Sequence, residues 1–290
     1  MVHKKKQRLW LLVPHLCLVG LLLYGLIQGG LGSLGWIPAF GLKDIQFNYF
    51  YEVLFDKRFW SAAVFSITTA VISSTLAVLI GIWICYRLMN LSQKDLARVN
   101  WVIQIPIIIP HIIVCMFIIQ LFSRAGILSR LSYQLGLEEA GKFWGKWVFN
   151  QNGVGVILAY LWKGIPFVIF TCLPMMLNIS NHLGEAARTL GANNSQQFMH
   201  VTLPLCRKTI ILDHIILLMF ALGGYDVPKI LGATFPKALP ILAYEEYIHP
   251  DLLNRPRAMA LNMMIFIVGI VILILYGIIL KLLTLERRRS

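Results

Sequence analysis

Six apolar runs, at 9–29, 60–85, 101–122, 153–177, 209–232 and 259–281, constrain this chain more than any other feature. Each is close to the roughly 20 helical residues that a bilayer core requires. Within that core no water satisfies backbone N–H and C=O groups, so a spanning chain is helical or a closed barrel, and runs this long and uniformly apolar are helical. Composition agrees: 58% of the residues are hydrophobic and 13% charged, far from the proportions of soluble domains. The expected fold class is an all-α integral membrane protein with six transmembrane helices, both termini on one side.

The basic residues set the side. With the N-terminus inside, cytoplasmic segments hold 14 of the 26 lysines and arginines and external segments 11, while Lys163 lies within a span. Lys4, Lys5, Lys6 and Arg8 abut the first span, and Arg287, Arg288 and Arg289 follow the last. The expectation is a multi-pass protein of the cell (plasma or inner) membrane with both termini cytoplasmic. A formal charge of +13 would suggest nucleic acid in a soluble protein. Here it flanks spans, where membrane lipid and topology account for it, and no nucleic-acid module is present. The first run is too long for a signal peptide and lacks a small-residue cleavage site, so it reads as a retained anchor. The five cysteines fall within spans or at their inner ends without metal-ligand spacing; they read as small buried apolar groups, with no disulfide and no metal site.

Several polar or helix-breaking residues sit inside the runs. Pro106 and Pro110 remove two backbone donors from the third, predicting a kink that is either a packing feature or part of a transport pathway. His111 follows directly. Lys163 lies in the middle of the fourth run, where a lysine costs on the order of 3 kcal/mol unless it snorkels, pairs or lines a wet cavity. Asp226, at the outer end of the fifth run, is a candidate partner for it. Pro110, His111, Lys163 and Asp226 are therefore the candidate pathway residues. The external stretch 123–152 alternates leucines with charges and then carries Phe143, Trp144 and Trp147, predicting amphipathic helix at the outer interface. Gly30-x-Gly32-x-x-Gly35 matches a dinucleotide fingerprint as text, but it follows an apolar span rather than a strand.

The inner connection between the fourth and fifth runs has its own local logic. Leu183 to Leu190 is rich in helix formers, with Glu185 near the start and Gly191 as a stop. Asn193, Asn194 and Ser195 suit the cap of a second short helix over 196–201, and Pro204 suits the first turn of the next element. The result is a helix, turn, helix elbow, in which small Ala186 and Ala187 leave room for another protein.

Glu185-Ala186-Ala187, three residues, Gly191, nine residues, then Val201-Thr202-Leu203-Pro204 resembles the EAA loop of the inner-membrane permeases of binding-protein-dependent ABC importers. One fixed position differs, Val201 for isoleucine. The resemblance implies a type I importer permease in which this loop is the coupling helix, seated on an ATPase and driving alternating access. Glu185, Ala186, Ala187, Arg188, Gly191, Leu203 and Pro204 are then the ATPase-coupling residues. The implied domains are 1–59, an N-terminal tail, first helix and external segment; 60–285, the importer transmembrane domain; and 286–290, a basic tail. Implied partners are a cytoplasmic ABC ATPase dimer, a second permease, identical or homologous, an extracytoplasmic solute-binding protein, and membrane lipid. No GxxxxGK[ST] sequence occurs, so no cofactor is expected here and ATP is bound by the partner. No catalytic residue is expected either. Ala187-Arg188-Thr189-Leu190-Gly191-Ala192 looks most like the spermidine/putrescine permeases, so a polyamine-like solute is the first expectation, with iron, sulfate or phosphonate as alternatives. A membrane-embedded lipid-modifying enzyme is the remote alternative, disfavoured because the inner-face acids Asp95, Glu185, Asp213 and Glu286 lie on separate segments.

Overall fold

The computed structural model describes residues 12–286, so the basic residues at 4–8 and 287–289 lie outside the described residues. Regular structure among the described residues is helical apart from one antiparallel bridge between Ile37 and Leu42. Among the described residues, five helical stretches are long and apolar enough to cross a membrane: Val13–Ser33, Lys57–Leu88, His111–Gln134, Val154–Thr189 and Leu252–Ile278. The expected fifth span corresponds to Leu203–Gly223, which has the length but also carries Arg207, Lys208 and Asp213. The chain divides into two compact units, 1–60 with 242–290, and 61–241.

In the first unit, α1 (Val13–Ser33) packs along α13 (Arg255–Glu286). The glycine pattern there is a helix contact. A Cβ on Gly32 would meet Met259, and Gly35 makes the left-handed turn after α1 at φ 89°. After the short α2 (Asn48–Phe55), Asp56 accepts from Arg58 at 2.8 Å and from Arg257 at 2.7 Å. Arg58 also reaches Glu246 at 3.2 Å. Burial pushes the Asp56 carboxyl up, but hydrogen bonds and charge from Arg58, with Arg257, outweigh it and hold the group below its ordinary range.

The second unit is built on α3 (Lys57–Leu88), α4 (Gln93–Ile108), α5 (His111–Phe122), α8 (Val154–Ile179) and α11 (Leu203–Gly223). Close approach comes from small residues, the usual device where lipid is as apolar as leucine. A Cβ on Gly81 would lie 2.8 Å from Val168, and one on Gly164 would lie 2.9 Å from the Ala77 Cβ. Cys85, Cys115, Cys172 and Cys206 are buried, whereas Cys17 on α1 is exposed.

Three details depart from the sequence expectations. The third span is two helices, not one kinked helix: Ile109 is extended at ψ 128° because the Pro110 ring disfavours helical backbone in the residue before it. Pro106 stays inside α4. The fourth span does not end near 177 but runs without a break to Thr189 through a π-helical segment, Ser180–Gly184. The fifth ends at Gly223, and residues 226–231 form a separate short helix, α12 (Asp226–Leu231). The stretch 123–152, expected to be amphipathic helix, holds two short helices, α6 (Ile127–Gln134) and α7 (Ala140–Trp144). Its aromatics turn toward one another: Phe122 stacks on Trp147 at 5.5 Å, and the Trp144 indole donates to the Ser132 hydroxyl at 2.9 Å.

Candidate functional site

The elbow is the tip of a helical hairpin. One arm continues from α8 through its π segment into α9 (Glu185–Thr189); the other begins as α10 (Asn194–Gln197) and enters α11 through a second π segment, Phe198–Thr202. Gly191, at φ 90°, makes the turn. Its N–H bonds the Arg188 carbonyl at 2.9 Å, and the Ala192 N–H bonds that of Ala187 at 3.1 Å. This is the left-handed closure that favours glycine after a helix. A Cβ at Gly191 would meet nothing within 4 Å, so the requirement there is conformational, not steric. Asn193 and Gln196 form a reciprocal capping box, each side chain 2.9 Å from the other's backbone N–H.

The predicted elbow residues separate by position. Glu185, Ala186 and Arg188 are exposed, Ala187 is half-buried, and Leu190 beside the turn is 90% exposed, an apolar knob at the extreme tip. Leu203 instead packs on the core around Phe198 and Cys206, and Pro204 lies exposed at the start of α11. Pro204 breaks nothing: the wider π turn immediately precedes it, at the position where a proline disturbs the regular helical ladder.

Gln197, which sequence reasoning missed, is the hub between the two arms. It is 2% exposed. Its Nε2 donates to the Ser180 hydroxyl at 2.8 Å and to the Thr202 hydroxyl at 3.3 Å, and its Oε1 accepts from Arg188 at 3.2 Å. Gly184 leaves the space the amide fills, since a Cβ there would lie 2.1 Å from Nε2. One side chain thus ties both π segments and α9 together. No sequence pattern announces a glutamine in this role.

Farther along α8, the Lys163 ammonium donates to the Ile109 carbonyl at 2.8 Å, satisfying the acceptor freed at the α4–α5 break. Lys163, His111, Ser73, Ser74 and Tyr160 line a cavity of about 210 Å³ whose remaining wall is apolar, Phe167 and Phe220 included. The His111 ring lies 5.2 Å from that of Phe220. Of the predicted pathway residues, Lys163 and His111 share this cavity, and Pro110 makes the break that Lys163 bonds. Asp226 heads α12 outside the lining, and it forms no ion pair with Lys163 among the described residues. Asp213, buried on α11, faces α8, with Oδ2 at 2.5 Å from the Thr171 hydroxyl and 3.2 Å from the Cys172 thiol. His214 Nε2 meets the hydroxyls of Ser74 and Thr75 at 3.3 and 3.2 Å.

Comparison with known proteins adds an independent line. The family described as "Binding-protein-dependent transport system inner membrane component" matches residues 77–285, well over half of the chain. The molybdate/tungstate transport system permease protein of Methanocaldococcus jannaschii is 28% identical over 196 residues, 67% of this chain and 72% of that protein. The spermidine/putrescine transport system permease protein of Haemophilus influenzae is 24% identical over 196 residues, 68% of this chain and 65% of that one. A chain from the crystal structure of a bacterial alginate ABC transporter, in complex with an alginate-bound periplasmic protein, superposes with a TM-score of 0.75 at 19% identity over 94% of each chain. That last likeness concerns the fold.

Proposed function

This chain belongs to the family of binding-protein-dependent transport system inner membrane components, and on that premise we propose that its elbow is the docking site of the motor that drives it. The chain is a permease subunit of an ABC importer and not an enzyme; ATP hydrolysis belongs to a partner subunit. Its partners are an ATPase pair, a second permease and an extracytoplasmic solute-binding protein. Both termini and the elbow face the cytoplasm. The observation that carries the docking proposal is the exposed tip of Glu185, Ala186, Arg188 and Leu190 on two membrane helices cross-tied by Gln197. A push at such a tip is transmitted along two rods instead of being absorbed in a loop. Leu190 supplies the apolar anchor, and Glu185 the charge that fixes orientation.

The test is co-purification with the ATPase together with solute uptake. Glu185→Lys and Gly191→Pro are expected to lose both. Retention of the ATPase and full uptake by both variants would defeat the docking assignment.

The solute is small and polar. The sequence expectation of a polyamine is one of two charge classes among the relatives' names, the other being oxyanions. The charge inside the membrane favours the oxyanion class: the cavity presents an ammonium, at Lys163, and no carboxylate lines it among the described residues.

A further inference from the structure

We propose that the cavity among α3, α4, α5, α8 and α11 is a binding site for a small oxyanion in transit, with Lys163 as its counter-charge. The proposal rests on the permease reading. A cavity of about 210 Å³ greatly exceeds the roughly 10–15 Å³ that one water needs. Its wall is largely apolar, with Ala77, Ile107, Phe167, Ile216, Leu217 and Phe220, so charge interactions inside it are weakly screened.

The donors suit an anion. A lysine ammonium has three N–H groups, and the Ile109 carbonyl takes one. That carbonyl satisfies a hydrogen bond but does not neutralise a full charge, which stays costly in the membrane until an anion arrives. His111 offers a ring nitrogen on the neighbouring helix. The hydroxyls of Ser73 and Tyr160 presently donate to backbone carbonyls at 3.2 and 3.4 Å, beyond the usual hydrogen-bond range, while that of Ser74 lies 3.3 Å both from the Val71 carbonyl and from His214 Nε2. Hydroxyl rotors held so loosely can turn to a stronger acceptor. A polyamine would face Lys163 with no carboxylate in the lining; the Asp226 carboxylate, near enough to act on His111 and Tyr160, stays outside it. Occupation also has a mechanical side, because an anion that draws the ammonium competes with the one bond Lys163 makes at the α4–α5 break.

The complex with its partner subunits, in phosphatidylcholine nanodiscs, is titrated with radiolabelled molybdate, sulfate and putrescine. The expected result is saturable binding of an oxyanion and none of putrescine, with affinity at least tenfold weaker in Lys163→Met and within about threefold of wild type in Lys163→Arg. Ser73→Ala, which removes one hydroxyl and little packing, is expected to weaken binding severalfold and serves as the deciding variant where a lysine variant does not assemble. Unchanged oxyanion affinity in Lys163→Met, or in Ser73→Ala where that variant decides, overturns the site; so does preferential putrescine binding. Phosphatidylglycerol nanodiscs distinguish the two sources of an anionic oxygen cluster: a lipid that occupies the cavity while no free oxyanion binds overturns the transit role. Lysine-dependent oxyanion binding by preparations of this chain that retain no ATPase would uphold the site and defeat the docking assignment instead.

Discussion

Replacing Gln197 with leucine keeps the volume and removes the cross-tie of the elbow. The amide makes two neutral bonds in a buried setting, to Ser180 and Thr202, and accepts one from Arg188 near the surface. Each neutral bond contributes about 0.5–1.5 kcal/mol net, so the pair accounts for roughly 1–3 kcal/mol. The Arg188 bond, with its exposed donor, adds less than about 1 kcal/mol. Part of the loss is recoverable, because the freed serine and threonine hydroxyls can turn to carbonyls of their own helices. A net cost near 2 kcal/mol is a large share of a stability of about 5–15 kcal/mol, yet it is not enough to unfold the chain. Within the tip, Glu185 to Leu190, only the exposed Arg188 bond to the amide is lost. Gln197→Leu is therefore expected to retain the ATPase and to hydrolyse ATP while moving severalfold less solute per ATP. The assay is the ratio of uptake to hydrolysis in proteoliposomes, with Gln196→Ala, on the exposed capping box, as the control. An unchanged ratio in Gln197→Leu would refute the cross-tie as the transmitting element.

Two further outcomes follow from contacts elsewhere in the chain. Gly164→Ala places a methyl 2.9 Å from Ala77, so an overpacking loss of about 1–3 kcal/mol is expected, largely reversed in the double variant with Ala77→Gly; additive losses in unfolding midpoints would contradict that contact. Asp56, whose folded carboxyl is held low, contributes stability that is complete above the unfolded value of about 3.9 and is lost as pH falls through the lower folded value. The melting difference between wild type and Asp56→Asn should be flat from about pH 5 to 8 and close in acid; a difference that varies within the flat range would count against the ion cluster.

What was legible in the sequence was mainly local chemistry. Gly191 and the Asn193–Gln196 cap declare themselves because a left-handed turn and an N-cap each admit few residue types. Pro110 announced a disturbance, and the restriction it imposes on Ile109 explains why that disturbance is a break. The Lys163 bond to Ile109 was not legible, since it joins positions 54 residues apart whose distance depends on how α4, α5 and α8 pack. Gln197 was hidden for the same reason, and its partners Ser180 and Thr202 are ordinary small polar residues of apolar helices. The two π segments leave no trace in hydrophobic periodicity, so a continuous hairpin arm read as a span, a loop and a short helix. The end of the fifth span was overrun because the apolar run continues past Gly223 into α12, while the backbone turns at Gly224.

The paired π segments have a consequence for how such a chain can change length. Each residue along a helix carries the face forward by about 100°. A π turn holds about one residue more than the α turn it replaces, so that surplus is absorbed locally and the helix on either side keeps its facing. A residue added to or removed from the regular part of one arm would instead turn everything beyond it by that angle and take Gln197 away from Ser180 and Thr202. The two π segments are thus the places where this hairpin can lose a residue with its tip still facing the same way.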